Sequence, residues 1–89
     1  VRNLGAFLAA SVPLRITDLQ ERGGPGPEEW AWAVDFGEAL TYQRDVLLFG
    51  DARRASGLAN DLSRAVAILA FAPGGVSVFG QHFEAKKEG

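Results

Sequence analysis

Two breaks that no regular element can cross divide this chain: Gly23-Gly24-Pro25-Gly26-Pro27 and Pro73-Gly74-Gly75. Each joins residues that accept positive φ to residues without an amide hydrogen, so each must be a loop or a turn. The whole chain is 89 residues and 9.5 kDa, room for one small domain. Residues 1–85 are therefore expected to form one α+β domain, and Lys86-Lys87-Glu88-Gly89 a solvated tail.

Hydrophobic residues make up 47% of the chain and charged residues 22%, a globular composition that speaks against disorder. With no cysteine, disulfides and thiolate metal sites are excluded. His82 stands alone, so a multi-histidine metal site is excluded too. The longest apolar stretch, Ala65 to Ala72, is too short to span a bilayer. Only a brief apolar run, Leu4 to Ala10, follows Arg2, so no secretion signal is read there. The expectation is a cytoplasmic protein with no membrane contact and no cofactor. Abundant Ala, Arg and Gly suit a GC-rich bacterial or phage genome.

Charge is unevenly spread. Residues 28–51 hold Glu28, Glu29, Asp35, Glu38, Asp45 and Asp51 against Arg44 alone. The flanking segments are weakly basic, and the chain carries a net charge of -2. An acidic middle opposes general nucleic-acid binding.

Before the first break, Leu4, Phe7, Leu8 and Ser11 follow helical spacing behind Asn3 as N-cap, and Pro13 is expected to end that helix. Val12, Leu14 and Ile16 then alternate with Pro13, Arg15 and Thr17, the pattern of a half-buried strand. After the loop, Trp30, Trp32, Val34 and Phe36 alternate with smaller or polar residues, which predicts a second strand and a hairpin over 12–36. A helix beginning at Pro27-Glu28-Glu29 is the alternative, since proline and acids suit a helix start. It would set the two tryptophans about 200° apart on the wheel. Gly37 would turn the chain into a third strand, Leu40 to Phe49.

Asp51 is a candidate N-cap for a long helix from Ala52 to Phe71, with Ala55, Leu58, Leu62, Ala65, Val66 and Leu69 on its apolar stripe. Its last turns, Ala65 to Ala72, are apolar all round and need cover on two sides. Gly74-Gly75 would close that helix, and Val76 to Phe83 reads as a final strand, with Phe79 and Phe83 on one face and His82 on the other. The predicted order is α-β-β-β-α-β: helices packed on one mainly antiparallel sheet.

Catalytic signals are sparse. No serine lies in a Gly-x-Ser-x-Gly elbow, and nothing in the sequence ties a serine to His82. Asp35, Glu38, Asp45 and Asp51 could meet around a hard cation, yet they lack calcium-loop spacing, and a solvated acidic rim explains them. The first glycine loop lacks the lysine and hydroxyl of a phosphate loop. No catalytic, metal or cofactor-binding residue is therefore assigned.

The predicted element order, with Gly24-Pro25 leading into the second strand and Arg53-Arg54 opening the long helix, resembles a double-stranded-RNA-binding domain over about residues 3–72. That resemblance implies an RNA-binding module. The loop has no histidine and the helix start has two arginines where that family has a lysine cluster. Phosphate contacts dominate such affinity, so the missing cations weigh against RNA.

Excess apolar surface points elsewhere. The expected function is a non-enzymatic interaction module, such as a small inhibitor, an accessory subunit or a regulator of phage or host type. Its contacts would be with a protein partner or a second copy in a homodimer, through Phe71, Phe79, His82 and Phe83. An RNA-binding module is the first alternative and a small hydrolase the second.

Overall fold

The computed structural model describes residues 4–49, 52–78 and 80–86, with side-chain surroundings for Leu8 and residues 10–38, 60–78 and 80–86. Three helices, α1 (Leu4–Glu21), α2 (Pro27–Phe49) and α3 (Ala52–Leu69), precede two short strands, β1 (Val76–Val78) and β2 (Gln81–Phe83). The helices pack with a two-stranded antiparallel sheet, so the α+β class stands. The order is α-α-α-β-β, which replaces the predicted α-β-β-β-α-β. The candidate N-caps Asn3 and Asp51, together with Phe79, lie outside the described residues.

Pro13 does not end α1; it sits inside an 18-residue helix. An interior proline costs roughly 3 kcal/mol through a lost hydrogen bond and a ring clash. Continuing the helix keeps Leu8, Val12 and Leu19 on one buried stripe, with Ile16 beside it. Each such side chain contributes about 1.5–3 kcal/mol on burial, so the stripe outweighs the proline. Leu14, which the strand pattern would have turned inward, is 75% exposed. The apparent alternation of Val12, Leu14 and Ile16 was two helical neighbours with an outlier between them.

The loop that follows joins two helices rather than two strands. The Gly24 amide donates to the Leu19 carbonyl at 2.8 Å and the Gly23 amide to the Gln20 carbonyl at 3.1 Å. With Gly23 at φ 87°, this is a Schellman closure, and it satisfies carbonyls at the end of α1. At the other side, the Trp30 amide donates to the Gly26 carbonyl at 2.9 Å, which makes Gly26 the N-cap of α2 and Pro27 its first residue.

The hairpin predicted over 12–36 is therefore absent, and so is the strand predicted over 40–49; the helical alternative at Pro27-Glu28-Glu29 is the correct one. The wide separation of the tryptophans, which counted against a helix, is what the fold uses. Trp32 faces α3, while Trp30 is 37% exposed on another part of the surface. Gly37 does not turn the chain. It lies within α2, where a Cβ would sit 3.5 Å from Leu69 Cδ1, and buried Ala33 one turn earlier keeps the same close approach. With the strands gone, the topology behind the resemblance to a double-stranded-RNA-binding domain is gone as well.

Helix α3 is the centre of the molecule, and both α1 and α2 pack on it. Its residues Ala65, Val66, Ala67 and Ile68 are all buried, as is Ala70 just beyond its end, because neighbours cover it on several sides. The cover that this apolar end requires is thus supplied within the chain. Beyond it, Gly74 and Gly75 both take positive φ and reverse the chain.

The predicted final strand is a hairpin, with Val76 opposite Phe83, Ser77 opposite His82 and Val78 opposite Gln81. The two-residue connection resets the face alternation. Phe83 consequently shares a face with Val76 and Val78, and His82 with Ser77, which reverses the pairing expected from one unbroken strand. The Ala85 amide donates to the Ala70 carbonyl at 2.9 Å and fastens the hairpin's exit to the end of α3. Gln20 Nε2 donates to the Lys86 carbonyl at 2.7 Å, tying the same segment to α1.

Candidate binding cleft

Helical geometry on α1 puts Arg15, Asp18 and Leu19 on one side, and Arg22, the first residue of the closing turn, follows on the same side. This side borders the exposed flank of α3 at Arg64 and the first turn of α2 at Glu29. Together they line a half-open cleft of about 150 Å³ floored by Leu19, Ala67 and Ile68. Three guanidiniums and two carboxylates line it.

Two of the guanidiniums are held by other side chains. Arg22 makes a two-pronged contact with Glu29, Nη2 to Oε2 at 3.2 Å and Nη1 to Oε1 at 3.5 Å. Glu29 is itself fixed, because its Oε1 accepts from the Gly26 amide at 3.1 Å, one half of a capping box. That amide bond first, and the Arg22 hydrogen bond second, hold the Glu29 carboxyl below its ordinary range; the positive charges of Arg22 and Arg64 act in the same direction. Arg64 lies with its guanidinium carbon 4.5 Å from the centre of the Trp32 ring. Trp32 in turn stacks on Phe36 at a centroid distance of 5.4 Å and 26° between planes. Asp61, three residues before Arg64 and a plausible partner by spacing, makes no ion pair among the described residues.

The residues singled out from the sequence lie elsewhere. Phe83 is buried in the core, and Phe71 is half-buried, its ring 3.7 Å from where a Cβ on Gly24 would stand. His82 is exposed, and Phe79 lies outside the described residues. His82 does have a serine partner, which the sequence did not reveal: Ser77 Oγ lies 3.0 Å from its Nδ1 across the hairpin. On the other side of the ring, Nε2 is 3.6 Å from Glu84 Oε2, with 51% and 41% of the two side chains exposed. At that exposure, water competes for the bonds of this array. Cross-strand pairing accounts for it. Asp35 and Glu38 are exposed on α2, and among the described residues no three His, Asp or Glu side chains converge as metal ligands.

A strand over Val12–Thr17 would hide the arginine cleft, which the helix Leu4–Glu21 helps form. Strand geometry separates Arg15 from Asp18 and Arg22, whereas a helix aligns them. The i, i+3, i+7 spacing of Arg15, Asp18 and Arg22 was the available signal. Comparison with known proteins found no matching family model, no matching curated protein and no matching solved structure.

Proposed function

We propose that this domain is a non-enzymatic binding module that works through protein–protein contacts. The observation that carries the reading is the arginine cleft, in which Arg22 and Arg64 are already oriented before any ligand arrives. Arginine and tryptophan are the residues that dominate protein recognition energetically, and orientation in advance reduces the entropy lost on binding. The residues lining this cleft include no Ser, Thr, Cys, Lys or His; what it offers is fixed donors and a stacked aromatic. The exposed Leu14, one turn from Asp18, adds an apolar margin. An inhibitor, an accessory subunit or a regulator fits this reading equally.

A hydrolase is the second reading, favoured by the 3.0 Å contact between Ser77 and His82 with Glu84 beyond. Its weakness is physical: a catalytic base gains strength from exclusion of water and from donors aimed at the developing charge, and this hairpin face is open.

One experiment separates the two. Chemical cross-linking in extract of the native host, on wild type and Arg64→Glu, is expected to give a stoichiometric adduct that the variant loses. Ester or amide hydrolysis by the purified chain, abolished in both Ser77→Ala and His82→Ala, would overturn the binding reading.

A further inference from the structure

We infer that the cleft of Arg15, Arg22 and Arg64 takes a side-chain carboxylate from an acidic segment of the partner protein. This assignment rests on the binding-module reading and names its ligand chemistry. The cleft's size admits one small anionic group rather than a folded surface, at about 150 Å³. Its charge selects among anions: three guanidiniums against Asp18 and Glu29 leave one net positive charge, which a monoanion neutralises. A dianionic phosphate would exceed that single net charge and be repelled more strongly by the two resident carboxylates. The acidic stretch over 28–51 opposes a continuous polyanion such as nucleic acid.

The donors are matched to a carboxylate as well. The guanidinium of Arg64 lies over the Trp32 ring, and among the described residues it makes no ion pair. A planar guanidinium with a free edge receives a carboxylate through two parallel bonds. Arg15, across the cleft on α1, makes no ion pair among the described residues and can close on the same anion from the other side. Arg22 stays with Glu29 and contributes charge rather than new bonds.

Trp32 beneath Arg64 supplies the readout. In a Trp30→Phe background only Trp32 reports, and its emission is followed while an eight-residue glutamate-rich peptide is added at low salt. Saturable change is expected, weakening as salt rises. Affinity should fall at least tenfold in Arg64→Gln and in Arg15→Gln, the latter leaving the Trp32 stack intact. Lys86→Gln removes the same charge on the far side of α1 and should change affinity less than twofold. Circular dichroism of each variant verifies folding. Any of the following overturns the assignment: no saturation at millimolar peptide, equal loss with Lys86→Gln, or tighter competition by inorganic phosphate or by duplex RNA. A salt-sensitive dimer in light scattering that Arg15→Gln dissolves would also overturn it, in favour of a second copy as occupant. If the peptide fails while the cross-linked partner persists, the carboxylate assignment falls and the binding-module reading stands.

Discussion

Glu29 shows how one carboxyl can serve local folding and a surface at once. It accepts from the Gly26 amide at the helix start and braces Arg22 in the cleft. Because these contacts hold its folded pKa below the value of 4.5 expected for a free glutamate, its contribution to stability is fully present above that value. The contribution is lost as pH falls through the lower, folded pKa. A carboxyl carbon titration by NMR should therefore find Glu29 with a depressed midpoint, moved upward but not fully restored in Arg22→Ala, since the amide bond remains. Ser63 is the opposite case: fully buried in α3, its hydroxyl has no hydrogen-bond partner among the described residues. A buried, unpaired hydroxyl costs about 1–3 kcal/mol, and alanine is the better helix former. Ser63→Ala should raise stability by about 1 kcal/mol in urea unfolding.

Helix α1 and the turn after α3 each carry a local backbone cost, and substitution can expose it. Pro13 is exposed in the interior of α1, so its ring contributes little burial in return for the missing amide bond. Pro13→Ala is expected to stabilise by about 1–3 kcal/mol, with a gain of helical signal. The paired glycines after α3 differ from each other. At Gly74, φ is +84° and a Cβ would meet open space; at Gly75, φ is +70° and a Cβ would collide with the Phe83 carbonyl oxygen. Gly74→Ala should cost only the backbone strain, about 1–2 kcal/mol. Gly75→Ala should cost more than that, because the hairpin must shift to make room. Thermal unfolding of the two variants side by side checks the ordering.

The molecule as a unit depends on α3, against which the other two helices pack. Ile68 is buried in that helix and forms part of the floor of the arginine cleft. Ile68→Ala should lower stability by about 2–5 kcal/mol. Tryptophan emission, which reports on α2, and far-ultraviolet circular dichroism, which reports on all helices, should still lose signal in one coincident transition. Separate transitions would show that α1 and α2 are held independently rather than through α3. No helix among the described residues is long and apolar enough to cross a membrane.

What the residues determined by themselves were the breaks and the strongest amphipathic element. Where glycine and proline cluster they act on the backbone directly, which is why the first loop and the reversal after α3 were legible, whereas single Pro13 and Gly37 lie within helices. Helix α3 was legible too, since its polar and apolar faces differ. Residues 12–49 were not, because Val12, Leu14 and Ile16, and then Trp30, Trp32, Val34 and Phe36, satisfy period two as well as part of a helical stripe. Period alone does not choose between them; a surface to bury against does. That surface is α3, where Val12 can share a stripe with Leu8 and Leu19, and where Ala33 and Gly37 allow close approach only if they lie one helical turn apart. The cleft followed from the same decision. Arg15, Arg22, Glu29 and Arg64 come from three helices, and only the packing of α1 and α2 on α3 brings their charges together.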